Sequence, residues 1–184
     1  MKKTALEWFD IIVEPCKTTA REKAAEYGSS WTWYRSLSLI DRLFSKAKRI
    51  RTIQETKENK VGESIEDEFR AILNYSILYL VHASRDFRPE QMKLDDFIAL
   101  YNEKIVECKK LMEKKNHDYG EAWRDMSQIG ITDEIIVKLV RSKQMNAEGN
   151  IPFDNIKDLV NYAIFALIQI EEQRQNSVSE TETI

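Results

Sequence analysis

Lys138 and Arg141, followed downstream by Asp154, Asp158 and Asn161, are the residues whose types and spacing could do chemistry in this chain. On a helix, Lys138 shares a face with Ile131 and Ile135, and Arg141 lies one turn further along. A lysine inside an apolar stripe must snorkel to water, find an anion, or lose its charge. Asp158 and Asn161 fall within about 40° of Asp154 on the next helix, on the face that also carries Phe165. Antiparallel packing of the two helices would bring the cations to the carboxylates. One outcome is an internal salt bridge with hydrogen bonds that sets helix register. The other is a ligand site, with Lys138, Arg141 and Asn161 on a phosphate and Asp154 and Asp158 on a metal or a sugar hydroxyl. Tyr119 and Trp123, in "DYGEAW", would then supply a stacking surface for a base. Both outcomes need the same residues on the same faces, so they stand side by side at this level.

The elements that must position these groups come from a duplication. Sliding the chain by 92 positions aligns Cys16–Arg49 with Cys108–Arg141 without a gap, pairing Tyr27, Gly28 and Trp31 with Tyr119, Gly120 and Trp123. The match resumes after a five-residue length difference, with "NYSILYL" at 74–80 against "NYAIFAL" at 161–167. Each half reads as three helices. In the second half these run over about 94–117, about 132–146 with Thr132 as N-cap, and from near Asp154 to near Gln173. In the first half the periodicity predicts a helix interrupted at Pro15, a second from about Ser38, and a third from Ser64 to about Ala83. Residues 1–83 and 94–175 are thus two repeats, 84–93 a connector, and 176–184 a polar, frayed tail. Tyr-Gly ends each first helix, where a left-handed glycine costs little, and the tryptophan wedges the corner. Lys46 and Arg49 repeat the cation pattern, but Ala71 stands where the second half has Asp158, so the second copy is the expected site.

The expected fold is all-α: two tandem three-helix repeats packed as one bundle about a pseudo-two-fold. The third helices are apolar on more than one side, which predicts tight packing between halves and leaves room for a homodimer. Composition agrees, with three prolines, five glycines and 32% charged residues. A net charge of −3 gives no pull toward nucleic acid or an anionic membrane. Cys16 and Cys108 form neither a disulfide framework nor a zinc cluster, and the start carries neither a secretory signal nor a span. A reducing, cytoplasmic setting is the expectation. "SKAKRIRTIQETKENK" reads as a solvated face, because Lys48 and Arg51 point away from Lys46 and Arg49. Glu63 and Glu66 have ExxE spacing at a helix start, where the dipole alone favours acids.

The residues "DYGEAWRDM", "ITDEIIVKLVRSK" and "FDNIKDLVNYAIFAL" resemble the nucleotide-modification-associated domain family of the first type. The first half resembles a diverged second copy through "EYGSSW", "DRLFSKAKR" and "ESIEDEFRAILNY". This resemblance implies a link to nucleotide metabolism and a small-molecule nucleotide as partner. A remoter similarity, to MazG-like all-α nucleoside triphosphate pyrophosphatases, implies Mg²⁺ held by ExxE on one helix and ExxD on a later one. Asp158 matches that pattern in "NIKD", Asn155 does not, and Lys138 and Arg141 stand where glutamates would be. Two functional readings follow: a protein that binds, and could hydrolyse, a nucleotide or nucleotide derivative, and a non-catalytic helical interaction protein.

Overall fold

Three helix starts are fixed by a local polar side chain. Thr4 and Glu7 form a capping box at the head of α1 (Ala5–Tyr27), and Ser64 and Asp67 form another at the head of α3 (Ile65–Ala83). α2 spans Ser36–Thr56 between them, and α4 spans Leu94–Tyr119. α5 (Gln128–Ala147) starts four residues earlier than the periodicity predicts. Its cap is Ser127, whose hydroxyl accepts from the Gly130 amide at 3.0 Å. Thr132 is buried inside that helix instead, where its Oγ1 donates to the Gln128 carbonyl and accepts from Gln54. α6 (Phe153–Thr181) continues past the predicted end near Gln173, and Arg174 ties it to Glu66 of α3 at 2.5 Å. The computed structural model describes residues 3–28, 30–84 and 92–181, with side chains in the last stretch to residue 177; most of the expected connector lies outside these.

α1 runs straight through Pro15, contrary to the predicted interruption. Ile11, Glu14 and Pro15 all lie on the exposed side of the helix, so the Ile11 carbonyl that proline leaves unbonded can reach water. Gly28 and Gly120 end α1 and α4 with φ of +58° and +60°, which explains the glycine in each corner. Short 3-10 turns follow at Ser30–Trp33 and Ala122–Asp125, again 92 positions apart. Among the described residues there is no strand and no helix long and apolar enough to cross a membrane.

The helices pair across a pseudo-two-fold: α3 packs on α6 at the centre, α2 on α5, and α1 on α4. α1 also touches α6, and α4 touches α3, so each first helix bridges the two central ones. One continuous core results, from Phe9, Leu39 and Phe69 to Leu139, Leu159 and Ile164. The two central helices differ in one respect. α6 is buried almost all round between Asn155 and Ile168, whereas α3 keeps a half-buried stripe of Arg70, Ala71, Asn74, Tyr75 and Leu78.

Candidate functional site

That stripe is the floor of a cleft of about 770 Å³, a size typical of small-molecule sites. α1 and its corner form one side, α2 the other, and Phe97 and Tyr101 of α4 close the end. The cavity therefore lies in the first copy, which lacks the second carboxylate, and not in the copy that retains it.

Six aromatic side chains line the walls. Trp31 and Phe97 lie with ring centroids 5.0 Å apart, and Phe97 and Tyr101 5.8 Å apart. Opposite them, the Arg42 guanidinium sits 4.7 Å from the Tyr34 ring centre and donates to the Tyr75 hydroxyl at 3.3 Å. Four cations line the cleft, Lys23, Arg42, Lys46 and Arg70, against one carboxylate, Asp67. Asp67 is already engaged, accepting from the Ser64 amide and hydroxyl at 2.9 and 2.7 Å. Those bonds hold its carboxyl below the usual value. The lining is net positive.

The cations are held in different ways. Lys46 and Arg49 converge on Glu68, which is 1% exposed, with Lys46 Nζ 3.2 Å from Oε2. Sequence reasoning leaves these two cations without an acid at Ala71; the acid is three residues earlier, on the same helix face. Arg70 donates to Glu66 at 2.9 Å through Nη2, while its Nη1 is buried without an acceptor. Burial would raise the Glu66 carboxyl, but hydrogen bonds from Arg70 and Arg174 outweigh it and lower the value. The Tyr101 hydroxyl donates to Asn74 Oδ1, leaving the Asn74 NH₂ group as a donor. Burial keeps that phenol protonated, well above its usual range. The sequence signal for Arg70, Asn74 and Tyr75 is a run of polar and small positions in an otherwise apolar helix.

In the second copy the same positions are shut. Lys138 Nζ is 2.7 Å from Asp158 Oδ2, and Lys115 of α4 takes the other oxygen. Trp123 stacks flat on Phe165, with centroids 4.6 Å apart and planes 4° from parallel. Met112, fully buried, stands where the first copy has Ala20. Asn161 is 4% exposed and neither amide atom has a partner, because Phe9 occupies the place of Tyr101 in the repeat and has no hydroxyl. Of the other residues singled out from sequence, Arg141 and Asp154 are exposed and Tyr119 is 74% exposed. The structure brings Lys138 to Asp158 and packs Trp123 on Phe165, but it leaves Arg141, Asp154 and Tyr119 at the surface. Asp158 is committed to two ammonium groups, and the described residues contain no group of three or more potential metal ligands.

A tandem all-α repeat with one open, cation-lined aromatic cleft is the class of protein that these features define. The family described as nucleotide modification associated domain 1 matches residues 23–83 and 115–170, one stretch in each copy and together more than half of the chain. The chain belongs to this family. No curated protein and no solved structure matches it.

Proposed function

We propose that the chain binds a nucleotide or nucleotide derivative in the cleft of its first copy. The observation that carries this reading is the pairing of aromatic side chains, tilted against one another at one end of the cleft, with four cations against one engaged carboxylate. A base has two π-faces for Trp31, Phe97 and Tyr75, and a phosphate answers the positive lining. The family's description, nucleotide modification associated domain 1, supports the same ligand class. Binding is expected to need no magnesium, since Asp67, the carboxylate of the lining, serves as a helix cap. The second copy favours the other reading for itself: its Lys115–Asp158–Lys138 bridge joins three helices and works as a register pin.

The test is isothermal titration of the intact chain with ribo- and deoxynucleotides, with and without Mg²⁺, beside Trp31→Ala. The expected result is saturable binding of at least one nucleotide, independent of Mg²⁺ and weakened by about tenfold or more in the variant, the loss usual for one stacked base. No heat at millimolar ligand, under conditions where a control binder registers, would overturn the reading.

A further inference from the structure

The two copies can be laid on one another position by position, and the closed copy then shows what the open one lacks. Lys115, Lys138 and Asp158 correspond to Lys23, Lys46 and Ala71. The offset is 92 for the first two and 87 for the third; the ends of α1 and α4, the two 3-10 corners and the starts of α2 and α5 all keep the 92. In the second copy one carboxylate bridges two ammonium groups, an oxygen to each. In the first copy both lysines remain and line the cleft, while the bridging carboxylate is reduced to a methyl group. Glu68 does not replace it, since Glu68 corresponds to Asn155 and holds Lys46 with Arg49. Lys23 is left on Glu26, in a solvent-exposed pair of little strength.

We infer that the anionic group of the cleft's ligand sits over Ala71, at the position that Asp158 fills with its own carboxylate in the second copy. This rests on the binding reading above and specifies it. The ligand group must offer at least two oxygens, one for Lys23 and one for Lys46. The Asn74 NH₂ group, one turn beyond Ala71 and oriented by Tyr101, gives a third donor. A phosphate monoester meets all three. The rim supports the assignment: Arg42 stands over the open cleft, whereas Glu134 occupies the corresponding position in the closed copy. There, burial first and then the charges of Glu134 and Asp158 push the Tyr162 phenol up to about 12. Of the two equivalent positions, the one in the first copy is arranged to receive an outside anion.

The experiment compares Ala71→Asp with Ala71→Asn, using the four deoxynucleoside monophosphates and their nucleosides as probes. The second copy shows that the fold accommodates aspartate at this position, and circular dichroism checks that it does. Ala71→Asp is expected to lose about tenfold to a hundredfold in monophosphate affinity, the range for charge-assisted hydrogen bonds, while nucleoside binding changes little. Ala71→Asn should keep most of both. Equal monophosphate affinity in Ala71→Asp and the unmodified chain would overturn the inference, as would equal losses in the two variants. A parallel titration with inorganic phosphate, read by the side-chain NMR signals of Lys23, Lys46 and Asn74, separates this inference from the nucleotide reading. Shifts in the unmodified chain that vanish in Ala71→Asp uphold the anion position even if no nucleotide binds. No shifts would overturn the position even if a nucleotide binds.

Discussion

The first copy keeps a cleft open over α3, and the second fills the equivalent space over α6 with its own side chains. Three exchanges account for the difference: Ala20 against Met112, Leu78 against Phe165, and Ala71 against Asp158. The first two occupy volume and the third occupies charge. The corner is fastened differently as well. Arg124 reaches Glu172 of α6 at 2.8 Å and the Lys3 carbonyl at 3.0 Å, while Thr32 stands in its place in the first copy. One backbone plan therefore supports both a packed structural half and a half that leaves part of a central helix accessible. A duplicated chain can specialise in this way, because the closed copy helps to support the fold while the other keeps its cleft.

The comparison breaks most visibly at the ion bridge. Asp158→Ala leaves Lys138 largely buried without its anion, and should lower stability by about 3 kcal/mol, the lower end for a broken buried pair. Replacing both partners, Lys138→Met with Asp158→Leu, should restore stability to within about 1 kcal/mol of the original or raise it. Denaturant melts of the three variants decide the matter; a double variant as weak as the single one would mean that the bridge does more than fix register.

Filling and emptying the two clefts should be unequal. Met112→Ala should cost about 2–5 kcal/mol by leaving a cavity in a closed core. Ala20→Met, its mirror image, enters open space and should change stability by less than about 1 kcal/mol, as surface substitutions do. It should also reduce ligand binding. If the two changes cost the same, the first-copy cleft is not open in solution.

The smallest expected effect concerns one hydroxyl. Tyr101→Phe removes the bond to Asn74 and should cost about 0.5–1.5 kcal/mol, the usual net value of one hydrogen bond. Phe9→Tyr offers the same partner to Asn161, and thermal melts should show a gain of similar size. A loss in Phe9→Tyr would show that the second copy has closed too tightly to admit the oxygen.

Much of this was legible in the residues. The 92-residue register, the glycine corners and the Lys138–Asp158 pairing all follow from local periodicity and helix rotation. The extent of α5 and the continuity of α1 did not, since they turn on Ser127 as a cap and on which side of the helix Pro15 faces. The choice of copy was also hidden. Retention of Asp158 pointed to the second half, but a carboxylate between two lysines closes a site as readily as it equips one. Arg70, Tyr75 and Arg42 entered the site only through their neighbours, and Lys115 joined the bridge from a helix more than 40 residues upstream of Asp158.

The amino-acid order alone determined a helical duplication and the faces on which its charges sit, because backbone propensity and rotation are properties of neighbouring positions. Tertiary packing decided which half stays open. That outcome depends on how side-chain volumes from α1, α4 and the two corners sum against α3 and α6, and such sums are made only between residues far apart in the chain.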